Sequence, residues 1–481
     1  MSKSARTRTP RRTFKERVLS GSVNNLAFFN ILGPLLVNLL NFLTLPIITR
    51  ALGPSHYGLA SLYLSWCQLF ASFIGLQVSG TIATSMVHYS REEEKKYLSS
   101  IIGLSLLGFV ATTVTICVGM RWFVQWIGFS PLLLLFLMTY AYGTFALLFA
   151  NIYFTYQKKA YINFLINLGL AVSQVGLAFI FIYLVFPANR GDLALIYSYV
   201  IPYSILGVGV VIYFVRQGKI LYHKAYWLFC LPLCIPLIFH GLSQIVLAHS
   251  SKYILQQMRS NTDVGIYALA VALITVLNAL YNALNNTWVP FYYDDLKDHN
   301  DASIRERGRS YMLVFAVLCA GFVLVSPEVI RFLANAQFAS AQTLMPLLMP
   351  GQFFIFLYSF SVNFQFFHRK TVNIAVGTAL AALVNIGLNI ALIPVMGTHG
   401  AALATTLAYC GLWIFHEVIA RHRIKAHYPF LLRDYMPSLA MVCAVSVAAW
   451  ALMTFWIARW AIAAGFGLWL IARVRKQRTL F

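Results

Sequence analysis

The sequence predicts an all-α polytopic membrane protein with about 14 transmembrane helices. These form two six-helix lobes in parallel repeat around a central cavity, followed by a C-terminal helix pair. Of the 481 residues, 60% are hydrophobic and only 10% are charged, and the mean hydropathy is +0.72. Soluble globular domains carry about 45–50% apolar and about 25% charged residues. The composition therefore excludes a large soluble enzyme and an intrinsically disordered chain.

The individual spans are predicted from apolar windows of roughly 20 residues, the length that crosses a hydrocarbon core of about 30 Å. The last two windows are separated only by a short hinge at Ile457–Trp460. The fourteen windows are centred on Leu36–Thr44, Trp66–Gly75, Leu107–Thr115, Leu137–Ala146, Gly169–Ile180, Tyr199–Val208, Ile238–Val246, Val271–Leu280, Val314–Leu324, Gln352–Phe360, Ala379–Leu388, Leu403–Trp413, Val442–Leu452 and Ile462–Leu470.

The orientation of the spans is predicted from the basic residues. The sequence has 36 Lys and Arg against 14 Asp and Glu, a formal net charge of +22. Cytoplasmic loops are enriched in Lys and Arg, and with the tail Lys3–Arg17 inside, 29 of the 36 cations fall on the cytoplasmic side. An odd number of spans would place the Arg473–Arg478 cluster outside. We therefore predict fourteen spans with both termini cytoplasmic, and the excess charge requires no nucleic acid.

An internal repeat predicts how the spans are grouped. A shift of 210 residues places Tyr57–Ala60 on Tyr267–Ala270 and Asn163 on Asn373. Six spans separate the matched segments, so the lobes have the same orientation and enclose a cavity, as in alternating-access transporters. The predicted units are a basic cytoplasmic tail (1–25), an N-terminal lobe (26–220), a C-terminal lobe (221–425) and a helix pair with a basic cytoplasmic tail (426–481).

Sequence motifs for catalysis are absent. The chain has no Gly-rich phosphate loop, no nucleophile elbow and no spacing of His, Cys and Glu that is typical of a metal site. The cluster Asp294–Asp301 is interpreted as a solvated linker between the lobes rather than a Mg²⁺ site. All seven Cys lie in predicted spans and are interpreted as packing residues. We predict a protein that is not an enzyme and has no cofactor or metal.

Amide side chains inside the spans are candidates for contacts with sugar hydroxyls, because each amide both donates and accepts hydrogen bonds. Polar residues are expensive within a membrane and usually face a cavity or a partner helix. The alternative for each is a hydrogen bond between neighbouring spans. The candidates are Asn38 and Asn41 in the first span, Gln244 in the seventh, and Asn278, Asn282 and Asn285 on one face of the eighth.

Three cations near the predicted cavity are candidates for binding phosphate, which basic groups attract strongly in a medium of low dielectric constant. They are Lys252 and Arg259 in the seventh span and Arg50 in the first. Each could instead be an interfacial anchor whose charge reaches the headgroups. The middle of every predicted span lacks carboxylates, so we expect the cavity to be neutral to positive and to suit an anion.

Three stretches resemble the Wzx-like polysaccharide flippases of the multidrug/oligosaccharidyl-lipid/polysaccharide exporter superfamily. They are Thr49–Gly58, Asp263–Ala270 and, most specifically, Asn385–Pro394 followed by Gly397–Thr405. The resemblance covers roughly residues 26–420. It implies two six-helix lobes, cationic side chains in the cavity and outward movement of undecaprenyl-diphosphate-linked oligosaccharides.

The resulting hypothesis is a flippase of the bacterial inner membrane that serves O-antigen, capsule or exopolysaccharide assembly. Its expected partners are the lipid-linked oligosaccharide, membrane lipids, and a polysaccharide polymerase with its chain-length regulator. Lys252, Arg259 and Arg50 would neutralise the diphosphate, and the amides would hold the sugars. The alternatives are a lipid II flippase or a drug or metabolite antiporter of the same superfamily, and, from another class, a polytopic glycosyltransferase or polymerase.

Overall fold

A computed structural model describes residues 23–477, with the side chains of 23–35, 38, 41, 188, 474, 476 and 477 left out. The predicted tail 1–25 therefore lies almost wholly outside the described residues, as do the side chains of Asn38 and Asn41. The described part of the chain is helical and contains no β-strand. Its α-helices are α1 (Val23–Gly75), α2 (Ile82–His88), α3 (Arg91–Val118), α4 (Met120–Ile127), α5 (Pro131–Tyr156), α6 (Ala160–Ile180), α7 (Gly191–Gly218), α8 (Lys224–Met258), α9 (Asn261–Lys297), α10 (Asp301–Leu333), α11 (Ala341–Phe367), α12 (Thr371–Met396), α13 (Thr398–His422), α14 (Leu432–Ala451) and α15 (Trp456–Gln477).

The fold confirms the predicted class of an all-α polytopic membrane protein. Within residues 23–477, twelve helices are long and apolar enough to cross a membrane. The first two predicted windows both lie in α1. Gly53, with φ 69° and ψ 173°, breaks that helix between them. The other twelve windows fall one each on α3 and on α5 to α15. The last of these, α15, is not among the twelve membrane-crossing helices, because its Arg and Lys residues lower its mean hydropathy.

Several helices begin where the sequence supplies a cap. Ser90 starts α3 with a capping box, in which its hydroxyl accepts from the Glu93 amide and the Glu93 carboxylate accepts from the Ser90 amide. Ser130 caps α5 directly before Pro131, and Ser260 caps α9 by accepting from the Asp263 amide. These side chains satisfy amide groups that the first helical turn leaves unpaired. These caps therefore fix the first residues of α3, α5 and α9.

The helices pack in two groups. In the first, α1 packs against α5, α6 and α7, and α3 packs against α7. In the second, α11 packs against α10, α13 and α9, and α12 packs against α13. Helix α8 contacts both groups, since it packs on α12 and also on α1 and α3. The division at residue 220 stays a prediction, and α8 contacts helices of both groups.

The two groups meet most closely where α1 crosses α9, at a pair of glycines. A Cβ atom at Gly58 would lie 2.0 Å from the Asn261 carbonyl oxygen, and one at Gly265 would lie 1.9 Å from the Pro54 carbonyl oxygen. The contact is reciprocal, because the two glycines differ by 207 in residue number, as do Pro54 and Asn261. The spatial repeat at this crossing therefore follows an offset of 207, three residues less than the 210 inferred from sequence matches.

The C-terminal helix pair α14 and α15 packs against α10, and α14 also packs against α11. Arg459 is fully buried, and its guanidinium donates to both carboxylate oxygens of Glu328 at 2.9 and 2.6 Å. It also donates to the carbonyl of Leu324 at 2.6 Å. Arg309 of α10 is paired with the buried carboxylate of Asp434 in α14. These charged contacts fix the pair to one side of the second group.

Replacing Glu328 by Ala is expected to destabilise this packing, because it leaves the buried Arg459 charge without its counter-ion. Breaking such a pair costs roughly 3 kcal/mol. The melting temperature of the purified protein in detergent should fall by several degrees. Glu306 is an exposed glutamate on the same helix, and Glu306→Ala is the matched control. Equal melting temperatures for both variants would contradict the assigned role of the pair.

Candidate functional site

Lys252 lies at the boundary between the two groups of helices. Its side chain is only 8% exposed, and its Nζ donates hydrogen bonds to the Ser61 hydroxyl at 2.9 Å and the Ser65 hydroxyl at 3.3 Å. Both serines belong to the second half of α1, whereas Lys252 belongs to α8. Among the ion pairs of the described residues, none includes Lys252. A buried ammonium with two hydroxyl partners is costly, which favours a functional reason for its retention.

Aromatic packing holds Lys252 in this position. The neighbouring Tyr253 donates its hydroxyl to the Ser65 carbonyl at 2.7 Å, and its ring stacks on Trp66 with centroids 4.3 Å apart. Trp66 in turn contacts Trp126 of α4 edge to face at 5.1 Å. Stacked rings restrict the rotation of α8 relative to α1, so the ammonium stays directed at the two serines.

A polar stripe on α1 continues from these serines towards the other end of the helix. Ser61, Ser65, Gln68 and Ser72 are spaced by four, three and four residues, which places them on one helical face. The stripe faces α8, because a side chain at Gly241 would lie 2.7 Å from the Gln77 amide nitrogen and 3.6 Å from the Ser72 hydroxyl. The sequence prediction missed this stripe, although its spacing is visible in the sequence.

Two open cavities adjoin the stripe. The first has a volume of about 230 Å³ and lies between α1, α7 and α9. Its polar lining residues are Thr44, Tyr57, Ser61, Tyr199 and Thr275. The second has a volume of about 80 Å³ and lies between α1, α5 and α8, with the polar lining residues Gln68, Ser72, Gln77, Ser79 and Thr144.

The lining chemistry of both cavities suits a polar ligand without positive charge. Hydroxyl and amide groups predominate among the polar residues, and neither set of lining residues includes Asp or Glu. Ser61 links the first cavity to Lys252, since Ser61 is a lining residue and its hydroxyl accepts from the ammonium at 2.9 Å. Lys252 is not itself a lining residue of this cavity, so its ammonium lies behind Ser61.

The amides predicted from the sequence have different surroundings. The Asn278 carbonyl oxygen accepts from Gln352 at 2.7 Å, and that of Asn285 accepts from Asn363 at 3.3 Å. Both bonds join α9 to α11 within one group of helices, which is the interhelical alternative considered for them. Asn282 and Gln244 are exposed, and neither lines the two cavities. Their role in glycan binding stays a prediction.

The two predicted arginines bind the ends of helices. Arg50 donates to the Phe332 carbonyl at 2.6 Å, near the C-terminus of α10. Arg259 donates to the carbonyls of Ile393, at 3.1 and 3.2 Å, and Pro394, near the C-terminus of α12. Unpaired carbonyls and the helix dipole both favour a cation at such a position. Lys252 is thus the predicted cation that lies beside a cavity, and phosphate binding by the two arginines stays a prediction.

Comparisons with known proteins agree with this architecture. Residues 25–293 match the family described as "Polysaccharide biosynthesis protein". The Haemophilus influenzae "Lsg locus putative protein 1" is 23% identical over 401 residues, 79% of this chain and 95% of its own length. A second membrane protein of that organism is 22% identical over 376 residues, 74% of this chain and 87% of its own length.

Solved structures show the same fold. The lipid II flippase MurJ in an inward closed conformation is similar with a TM-score of 0.64 and 14% identity, over 94% of this chain and all of that one. An inward-facing multidrug transporter of the MATE family is similar with a TM-score of 0.59 and 13% identity, over 89% of this chain and 96% of that one. These folds belong to transporters rather than enzymes, which is the class of protein that the sequence predicts.

Proposed function

Because the chain belongs to the polysaccharide biosynthesis protein family, we propose that it is a flippase for lipid-linked oligosaccharides. The substrate would be an undecaprenyl-diphosphate-linked oligosaccharide that crosses the bacterial inner membrane by alternating access. The fold it shares with transporters and its many membrane-spanning helices support this assignment. The product would serve O-antigen, capsule or exopolysaccharide assembly, and a polymerase with its chain-length regulator would act on it next.

The observation that carries the proposal is the buried Lys252 beside a cavity without carboxylates. A diphosphate would replace the two serine hydroxyls as partner of the ammonium and gain a charge-assisted hydrogen bond. The hydroxyls and amides along the α1 stripe would contact the first sugars, and the polyprenyl tail would remain among the lipids. An organic cation would find no counter-charge in these two cavities, which disfavours the antiporter alternative.

The orientation of the chain is part of the proposal. With both termini cytoplasmic, the break of α1 near Arg50 and the C-terminal end of α8 near Arg259 face outwards, as the distribution of basic residues favours. The substrate would enter from the opposite, cytoplasmic side. Protease protection of a tag at either terminus, in inverted and right-side-out vesicles, tests this orientation.

Reconstitution provides the direct test of function. Purified protein in liposomes should accelerate transbilayer movement of a fluorescent undecaprenyl-diphosphate-oligosaccharide at least tenfold over protein-free liposomes, since uncatalysed movement requires a charged headgroup to cross hydrocarbon. A matched lipid with the same glycan and no phosphate should gain little. Absence of acceleration would exclude the proposal. Equal or greater acceleration of lipid II would instead assign the lipid II substrate, and chemical conversion of the lipid would indicate a transferase or polymerase.

A further inference from the structure

Two pairs of hydrogen bonds join the two groups of helices at the end where Arg50 lies. In the first pair, Thr49 donates its hydroxyl to the Leu333 carbonyl at 2.5 Å, and Arg50 donates to the Phe332 carbonyl at 2.6 Å. In the second, Gln256 donates its amide to the Ile127 carbonyl at 3.1 Å, and Gln257 donates to the Trp126 carbonyl at 2.5 Å. We call the first pair arm A and the second pair arm B.

The arms are related by the internal repeat. The donors of arm B follow those of arm A by 207 residues, and the acceptors of arm A follow those of arm B by 206. The donor helix belongs to the first group in arm A, whereas in arm B it is α8, which packs most extensively on α12 of the second group. A rotation about a two-fold axis between the groups would exchange one arm with the other, and would also exchange Gly58 with Gly265. The sequence matches gave no sign of this, because Thr-Arg and Gln-Gln share no identity.

The two arms have the same order of buried and exposed residues. The inner acceptor carbonyl belongs to a fully buried residue, Leu333 or Ile127, and the outer donor, Arg50 or Gln257, is exposed. The four acceptors are the last two residues of α10 and the last two of α4. Carbonyls in the final turn of a helix have no partner within that helix, so a donor from a neighbouring element or water must satisfy them.

We propose that arms A and B form a reciprocal latch that holds the two groups of helices together at this end and releases both arms in a single step. The two-fold relation explains the coupling, since rigid groups that move apart symmetrically at this end must break both arms. Water can reach the exposed outer bonds and replace the donors, which makes the release reversible. The latch serves the proposed transport cycle, in which the cavity must open at this end to discharge the substrate.

The coupling distinguishes a latch from static helix caps. Arg259 provides the comparison, because it also donates to carbonyls at a helix end, yet both of its partners lie in α12, which packs against its own helix. Loss of the Arg259 cap would disturb one group of helices without separating the two. Loss of either arm would favour separation across the whole interface.

Electron–electron distance measurements in nanodiscs test the latch without substrate. Spin labels are placed at Gln125 of α4 and at Ser340 before α11, both exposed in the structure. The background replaces by Ser the three described cysteines that are not buried, Cys117, Cys410 and Cys443. Arm A is removed by Thr49→Val with Arg50→Met, and arm B by Gln256→Leu with Gln257→Leu.

Each arm variant should raise the ratio of long to short distances severalfold, and the four-residue variant should raise it roughly as the product, about tenfold or more. Arg259→Met should leave the distribution unchanged. Unchanged distances in both arm variants would overturn the latch, as would a shift of equal size in Arg259→Met. If the four-residue variant fails to fold, the single exposed changes Arg50→Met and Gln257→Leu keep the test. Because the readout is a distance, it stands even if the transport assay shows another substrate.

Discussion

Replacing Lys252 by Met is expected to slow transbilayer movement of the diphosphate-linked substrate about 100-fold, since a buried contact between opposite charges contributes roughly 3 kcal/mol. Methionine keeps the length and apolar stem of lysine and removes only the charge. The serine partners Ser61 and Ser65 remain in place, so the packing of α1 on α8 should survive. The measurement is the rate of substrate movement in liposomes, with the protein content matched by gel filtration.

Two further variants separate charge from position at this site. Lys252→Arg keeps a cation and should retain part of the rate, although the planar guanidinium fits the two hydroxyls differently. Lys224→Ala removes an exposed cation from the first turn of the same helix and should leave the rate unchanged. A folded Lys252→Met variant that transports at the normal rate would remove this residue from the mechanism.

Substituting Ala for Gly58 or Gly265 is expected to reduce transport at least tenfold, because overpacking at a rigid contact costs 1–3 kcal/mol or more. The added Cβ would lie 2.0 or 1.9 Å from a backbone carbonyl oxygen of the opposite helix. A backbone atom cannot turn aside as a flexible side chain can. The variants should therefore disfavour the closed crossing of α1 and α9 and shift the spin-label distances described above to longer values.

The control for these glycines is Gly387 of α12, whose Cβ position has no atom within 4 Å. Gly387→Ala should keep both the distance distribution and the transport rate of the unmodified protein. Because Gly58→Ala and Gly265→Ala disturb the same contact, they should give effects of similar size. Normal transport with an unchanged distance distribution in either variant would show that the crossing tolerates the added methyl group.

The sequence predicted the spans well and their neighbours poorly. Span positions follow from local sums of hydropathy, which is why all fourteen windows fall on helices of the structure. The break at Gly53 was not predicted, since a glycine next to a proline does not by itself reveal a positive φ value. The offset of 210 agrees with the starts of α3 and α10 and of α5 and α11, whereas the crossing at Gly58 and Gly265 follows an offset of 207.

The candidate site shows the same contrast. The sequence singled out Lys252 because a cation near a span interior is unusual, yet it could not identify Ser61 and Ser65 as partners, which lie 191 and 187 residues away. Periodicity placed Asn278 on one face of its helix, but it did not identify the residue that this face contacts, which is Gln352. Periodicity fixes which residues share a face, and only packing decides whether that face meets a helix or a cavity.

The sequence by itself determined the membrane environment, the helical class, the family resemblance and the cation that merits a test. These follow from composition, from short-range periodicity and from motifs, all of which are local properties of the chain. Only the tertiary structure decided that Arg50 and Arg259 bind helix ends, that a polar stripe of α1 faces α8, and that two arms without sequence identity are equivalent. The physical reason is that the acceptors in each arginine contact and in both arms are backbone carbonyls. Every residue type has a backbone carbonyl, so no pattern of side chains in the sequence reveals which ones act as partners.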